Sequence, residues 1–316
     1  MIMKLPVYQV LSVLVLVTEW IYQTRVTAEI SRSKWLQDTQ DTKTFSVFRR
    51  TRRPTGKESY PTCDCSCGET NDATRIVGGQ PTEVNQYPWM VRLSYFNRFY
   101  CGGTLINDRY VLTAAHCVKG RLWFLIKATF GEYDRCDTKN KPESRFVIRA
   151  IVGDFTFSNF DNDIALLRLN DRVPIVDIIK PVCLPTVLNN TYKDEKGVVM
   201  GWGTLEESGK PACIIRDVEV PILSNEECRT NSNYSASRIS DNMMCAGYEE
   251  GMKDSCQGDS GGPMVFERED SRYEIIGIVS WGAGCGRAGY PGVYTRVTRY
   301  IDWIRANSKE GCYCKY

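Results

Sequence analysis

The chain has 316 residues, 42% apolar and 25% charged, with a formal net charge of +2. Those totals exclude a fibrous or disordered chain, and a charge so close to balance gives no reason to expect a nucleic acid as partner. Fourteen cysteines against one histidine point to disulfides made in an oxidising compartment, because zinc sites favour close CxxC pairs and histidine ligands, and here there is no CxxC and a single histidine.

In chain order, Lys4 precedes the apolar run Val10–Val17, which Glu19 soon interrupts, and Val26-Thr27-Ala28 supplies small residues for cleavage. Residues 1–28 therefore read as a signal peptide, and the protein as secreted and extracellular. An uncleaved membrane anchor is the alternative. Residues 29–75 are polar and show no sustained apolar period, as expected of an extended pro-segment. Their basic run, Arg49, Arg50, Arg52, Arg53 and Lys57, is either a solvated stretch or a second processing site.

The character changes at Ile76-Val77-Gly78-Gly79. Short β-branched and aromatic runs follow, broken by Gly, Pro, Asn and Asp, and predict strands over 89–93, 103–106, 110–113, 198–201, 275–280 and 292–296. Many short strands with turns between them argue an all-β sandwich or barrel. Val297, Tyr300, Ile301 and Ile304 recur at helical spacing and predict a short C-terminal helix. Asn189 and Asn233 head the sequons Asn-Asn-Thr and Asn-Tyr-Ser, which are glycosylation acceptors on a secreted surface or accidents of composition.

Three stretches carry nucleophilic chemistry if they meet in space. Residues 258–263, GDSGGP, set Ser260 among glycines, where bare backbone lets a substrate carbonyl approach. The N–H groups of Gly258 and Ser260 can then face a developing oxyanion. A serine hydroxyl needs a base, and His116 in TAAHC, residues 113–117, has the only imidazole. That base needs an acceptor to fix its tautomer, and Asp163 in DNDIALL, residues 161–167, leads into an apolar run that would bury it. Singly, these are equally a core histidine, a strand-edge aspartate and a glycine-rich turn.

In this order, TAAHC, DNDIALL and GDSGGP resemble the trypsin-like serine proteases of the chymotrypsin family, over residues 76 to about 306. The resemblance implies two six-stranded antiparallel β-barrels with a short C-terminal helix. It implies a secreted serine endopeptidase with His116, Asp163 and Ser260 as its triad. It divides the chain into a signal peptide (1–28), a pro-segment (29–75), a protease domain (76–306) and a cysteine-containing tail (307–316). The alternative class is a non-catalytic homologue that acts as a binding or cofactor protein; such chains lose a triad residue, and all three are present.

Six residues before Ser260, at the position lying at the base of the family's specificity pocket, stands Asp254. A buried carboxylate there implies cleavage after Arg or Lys, with Ser255 adding a hydroxyl. The pocket walls match Ser280-Trp281-Gly282 and Pro291-Gly292-Val293-Tyr294, with Gly282 and Gly292 leaving room for a long side chain. Pro291 replaces the tyrosine of sodium-activated relatives, so no sodium dependence is expected. Calcium is not expected either, since Lys139, Asn140, Lys141 and Pro142 intrude in the loop opened by Glu132.

Arg75–Ile76 matches the family's activation site. Cleavage there would free an α-ammonium on Ile76 to pair with Asp259, so the full chain is expected to be a zymogen. No metal or cofactor is called for. The implied partners are protein substrates with Arg or Lys at the scissile bond, an activating trypsin-like protease and a protein inhibitor; the enzyme is expected to be a monomer.

The resemblance also implies disulfides Cys101–Cys117, Cys228–Cys245 and Cys256–Cys285, and pairs Cys183 with an upstream cysteine. Cys67, followed by Gly68, stands closest to the family pattern. A bridge to the pro-segment would keep it attached after activation, unlike in digestive trypsins, which suggests a regulatory or defence role. In this fold the loops holding Cys136 and Cys213 are neighbours, which suggests Cys136–Cys213. Cys63, Cys65, Cys312 and Cys314 then remain; two bridges from the pro-segment to the tail are the natural arrangement, but four cysteines allow three connectivities.

Overall fold

The barrel strands are four to ten residues long, which is long enough to cross a barrel wall. The computed structural model describes residues 62–71, 81–139, 141–204, 209–251 and 256–316. All lie in the second of two units, Met1–Lys57 and Glu58–Tyr316. The candidate signal peptide, the basic run at 49–57 and the activation site at Arg75–Ile76 fall outside the described residues. Among the described residues, no helix is long and apolar enough to cross a membrane.

The first strand, β1 (Thr62–Ser66), stands apart from the barrels. The first barrel is built from β2 (Met90–Tyr95), β3 (Arg98–Asn107), β4 (Tyr110–Thr113), β5 (Ile126–Phe130), β6 (Glu143–Val152) and β7 (Ala165–Leu169). It closes in the order β2-β3-β4-β7-β6-β5. The second uses β8 (Lys196–Gly201), β9 (Arg216–Leu223), β10 (Met243–Ala246), β11 (Pro263–Glu267), β12 (Tyr273–Trp281) and β13 (Gly292–Arg296). Its order is β10-β13-β12-β11-β8-β9. Every pairing within the two barrels is antiparallel. Closure removes the sheet edges that would otherwise invite pairing with another chain.

Inward side chains fill both barrels. Trp89, Leu93, Leu105, Leu112, Ile126 and Leu166 are fully buried in the first, and Val220, Met244, Met264, Ile276 and Tyr294 in the second. Each such side chain contributes about 1.5–3 kcal/mol by leaving water. β6 alternates in burial though not in sequence: Val147 is buried between exposed Phe146 and Ile148.

The strands predicted from sequence are all present, with their ends adjusted. Those at 110–113 and 292–296 keep their bounds, and the one expected at 103–106 is the inner part of β3, which extends over Arg98–Asn107. The C-terminal helix begins later than its periodicity suggests: Val297–Tyr300 form a 3-10 turn, and the α-helix covers Ile301–Asn307. A second short helix, α1 (Asn225–Asn231), starts at a capping box in which Ser224 Oγ accepts from the Glu227 N–H and Glu227 returns a bond to the Ser224 N–H. The C-terminal helix is α2 below.

Seven disulfides hold the described residues: Cys63–Cys312, Cys65–Cys314, Cys67–Cys183, Cys101–Cys117, Cys136–Cys213, Cys228–Cys245 and Cys256–Cys285. The first two flank a parallel ribbon between β1 and the last strand, β14 (Tyr313–Lys315). An isolated two-stranded ribbon has too little apolar surface to be stable alone, and here covalent bonds replace it. The tail also docks by hydrogen bonds: Cys312 N–H to Asp108 Oδ1 at 2.8 Å and Tyr316 Oη to the Leu184 carbonyl at 2.8 Å. Glu132, at the mouth of the loop considered for calcium, has its carboxylate engaged by Arg92.

Candidate active site

His116 lies in a 3-10 turn, Ala115–Cys117, that follows β4 after one residue. Cys101 of β3 is bonded to Cys117 and pins this turn to the barrel. Ala115 and Cys117 are buried while the imidazole between them is partly exposed, so the turn offers the ring at the surface from a rigid base.

Asp163 sits just before β7 and is 1% exposed. Its Oδ1 accepts from the His116 backbone N–H at 2.8 Å, and its Oδ2 lies 2.7 Å from His116 Nδ1. The same Oδ2 accepts from Ser280 Oγ at 2.5 Å, and the Asp163 carbonyl accepts from Thr295 Oγ1 at 2.7 Å. A buried carboxylate is expensive unless paired and hydrogen-bonded, and this one is both. Being acceptor-only, it holds the proton on Nδ1 and leaves the Nε2 lone pair to take a proton from elsewhere.

Ser260 is at the turn before β11. Its carbonyl accepts from the Gly102 N–H at 2.8 Å, which fastens the serine loop to β3 of the other barrel. The Cys117 sulfur lies 3.7 Å both from His116 Nε2 and from the Ser260 carbonyl oxygen, so one disulfide touches the histidine turn and the serine loop together. Gly261 has φ +79°, and a Cβ there would overlap Thr113 Oγ1 and come within 2.6 Å of the Gly102 carbonyl. Only glycine permits this approach of the two barrels.

Asp259 is half-buried beside Ser260, with its carboxylate turned inward against Gly201 and Gly203. Its Oδ1 accepts from the Gly203 N–H at 2.7 Å and its Oδ2 from the Cys256 N–H at 3.0 Å. Burial outweighs these two bonds and pushes its pKa up to about 6. A Cβ on either Gly201 or Gly203 would overlap its carboxylate, which explains the glycines flanking Trp202.

The other sequence-predicted positions divide. Arg75, Ile76, Asp254 and Ser255 lie outside the described residues. Gly258 has φ +102° and sits against Gly203 and Phe99. Trp281 ends β12, packed against Tyr234 with ring centroids 5.0 Å apart. A Cβ on Gly282 would meet nothing nearer than the Gly284 carbonyl at 3.8 Å, so internal packing does not demand that glycine. Gly292 begins β13 and is buried. Ser280, which the resemblance sets in a pocket wall, donates its hydroxyl to Asp163. No motif signalled this contact, nor that of Thr295, because each joins residues more than a hundred positions apart. Asn189 and Asn233 are exposed. Two groups of metal-ligating residue types occur among the described residues, but every cysteine in them is spent in a disulfide.

An oriented imidazole, a buried acceptor behind it and a serine loop held at the same sulfur are the parts of an acyl-transfer site. The comparisons with known proteins agree. Over 261 residues the chain is 37% identical to the venom serine protease Bi-VSP of Bombus ignitus, an alignment covering 78% of this chain and 72% of that protein. Over 288 residues it is 36% identical to phenoloxidase-activating factor 1 of Holotrichia diomphalia, covering 83% of this chain and 76% of the relative. The Trypsin family model matches residues 76–304, and the chain belongs to the trypsin family of serine proteases.

Proposed function

We propose that the chain is the zymogen of a secreted serine endopeptidase that hydrolyses peptide bonds after Arg or Lys. The observation that carries this is the double contact of Asp163 with His116, at 2.8 Å through the backbone and 2.7 Å through the ring. Ser260 Oγ attacks the scissile carbonyl, and His116 Nε2 takes its proton and later delivers it to the leaving amine. Asp163 stabilises the imidazolium formed between these steps. The N–H groups of Gly258 and Ser260 receive the oxyanion. Asp254, with Ser255, holds the substrate cation between Trp281, Gly282 and Gly292.

Activation is electrostatic. In the uncut chain Ile76 carries a peptide nitrogen, and Asp259 is a buried carboxylate with a raised pKa. Cutting Arg75–Ile76 supplies an ammonium that offsets its burial and orders the pocket and the oxyanion donors. Cys63, Cys65 and Cys67 precede the cut and are bonded to cysteines beyond it, which supports a pro-segment that stays attached. A retained pro-segment and the venom and phenoloxidase-activating relatives favour regulated extracellular proteolysis over digestion. The partners are an activating trypsin-like protease, protein substrates and a protein inhibitor.

A substrate-library profile of protein cut at Arg75–Ile76 tests this. Cleavage after Arg and Lys is expected; cleavage after aromatic residues would overturn the role of Asp254.

A further inference from the structure

The turn that delivers Asp163 is unusual. Phe160 and Asn162 both have left-handed backbones, with φ of 58° and 56°. Side chains other than glycine keep such a conformation only where their surroundings over-determine it. Phe160 packs on the rings of His116, Phe155 and Phe157 on its own side, whereas Asp161 and Asn162 are held from the other barrel.

Ser240 Oγ donates to Asp161 Oδ1 at 2.5 Å. Asn242 Nδ2 reaches Asp161 Oδ1 at 3.1 Å, Asp161 Oδ2 at 3.3 Å and Asn162 Oδ1 at 3.3 Å. Tyr300 Oη donates to Asn162 Oδ1 at 2.9 Å. Within the turn, Asn162 Nδ2 donates to the Asp154 carbonyl at 3.1 Å. Arg299 Nε donates to Asn242 Oδ1 at 2.8 Å, which fixes which end of the Asn242 amide faces the turn. Ser240 and Asn242 precede β10, and Tyr300 ends the 3-10 turn after β13, so both groups belong to the second barrel. Burial raises the Tyr300 phenol, with the Asp161 charge adding to it, so the hydroxyl stays a donor across the neutral range.

We propose that Asn242 and Tyr300 are positioning residues for Asp163: through Asp161 and Asn162 they lock its turn to the second barrel and so align the His116–Asp163 pair. The inference rests on the proposed catalytic role of that pair. A misplacement of about 1 Å at a reacting centre costs on the order of a hundredfold in rate, so a clasp one residue from Asp163 bears on turnover.

The test uses the full chain, before and after cutting at Arg75–Ile76, as wild type, Asn242→Ala and Tyr300→Phe. His116 is the only histidine, so one downfield imidazole N–H resonance reports its hydrogen bond to Asp163 without assignment. In Asn242→Ala the resonance is expected to move upfield and exchange faster. kcat is expected to fall roughly tenfold to a hundredfold, with KM changed less than about twofold. Tyr300→Phe, which removes one oxygen, should shift both in the same direction by less, and it keeps the test open if Asn242→Ala fails to fold. An unmoved resonance and unchanged kcat in a folded variant, with only the unfolding midpoint lowered, would overturn the proposal. If wild-type protein hydrolysed nothing, the enzyme reading would fall, and the resonance comparison would still decide the positioning claim.

Discussion

Asp163 grips His116 at two points, its Oδ1 on the backbone N–H at 2.8 Å and its Oδ2 against ring Nδ1 at 2.7 Å. One carboxylate thereby fixes both the turn that carries the imidazole and the tautomer of the ring. Asp163→Asn keeps the size of the side chain but can present a donor to Nδ1, which favours the wrong tautomer. In the activated protein kcat is expected to fall about 10⁴-fold, as the same change does in the well-characterised triad of this family. Steady-state kinetics on an arginine ester or amide checks it.

Ser280 supplies a second donor to the same Asp163 oxygen. Hydrogen bonds to charged groups contribute about 1.5–3 kcal/mol, and removing this one leaves a buried carboxylate less satisfied. Ser280→Ala is expected to lower the unfolding free energy by about that amount in denaturant titration of the uncut chain. A change within experimental error would mean that the contact contributes only geometry.

Asp259 makes the uncut chain sensitive to pH. Its folded pKa is raised from 3.8 to about 6, so the folded form binds the proton more tightly than the unfolded form. The uncut chain therefore loses stability as pH rises from about 4 to about 6, on the order of 3 kcal/mol at 1.36 kcal/mol per unit. Asp259→Asn should remove that part of the slope. Cutting at Arg75–Ile76 should also remove it, since an ammonium partner lowers the folded pKa again. Urea unfolding at pH 4.5 and 7 of Ser260→Ala protein, cut and uncut, measures both; equal slopes in all forms would contradict the activation scheme.

Asp254→Ser should weaken cleavage after Arg. Truncating one partner of a buried charge pair costs about 2–5 kcal/mol, so kcat/KM is expected to fall roughly thirtyfold to several thousandfold. Hydrolysis after uncharged residues should be spared.

Cutting anywhere between Asn71 and Pro81 leaves fragments joined by three disulfides, Cys63–Cys312, Cys65–Cys314 and Cys67–Cys183. Activated protein should run as one band without reductant and as two with it. Replacing Cys67 and Cys183 by serine should still give one band without reductant, because the β1–β14 ribbon keeps two bridges. Release of the pro-segment from that variant would contradict the pairing.

How much of this was legible in sequence depends on how local the cause is. TAAHC, DNDIALL and GDSGGP announce themselves because the chemistry needs those side chains beside those small neighbours. β4 and β13 are readable as compact β-branched runs, whereas β6 is not, since its exposed Phe146 and Ile148 blur the alternation. The capping box at Ser224 and Glu227 was a readable signal for α1 that the strand pattern overshadowed. Ser280 and Thr295 on Asp163, and Asn242 and Tyr300 on its turn, had no local signature, because each contact exists only once the second barrel is folded against the first. The connectivity of the four outer cysteines likewise had no local signature, and it is the parallel pairing of β1 with β14 that brings Cys63 to Cys312 and Cys65 to Cys314.

The most direct measurement is covalent labelling of protein cut at Arg75–Ile76 with a fluorophosphonate, followed by peptide mass spectrometry. One adduct, on Ser260, is expected in the wild type, with almost none in His116→Ala and much less in the uncut chain. A folded, correctly cut protein that takes up no label at Ser260, or takes it up equally without His116, would contradict the assignment of this site as a serine protease's triad.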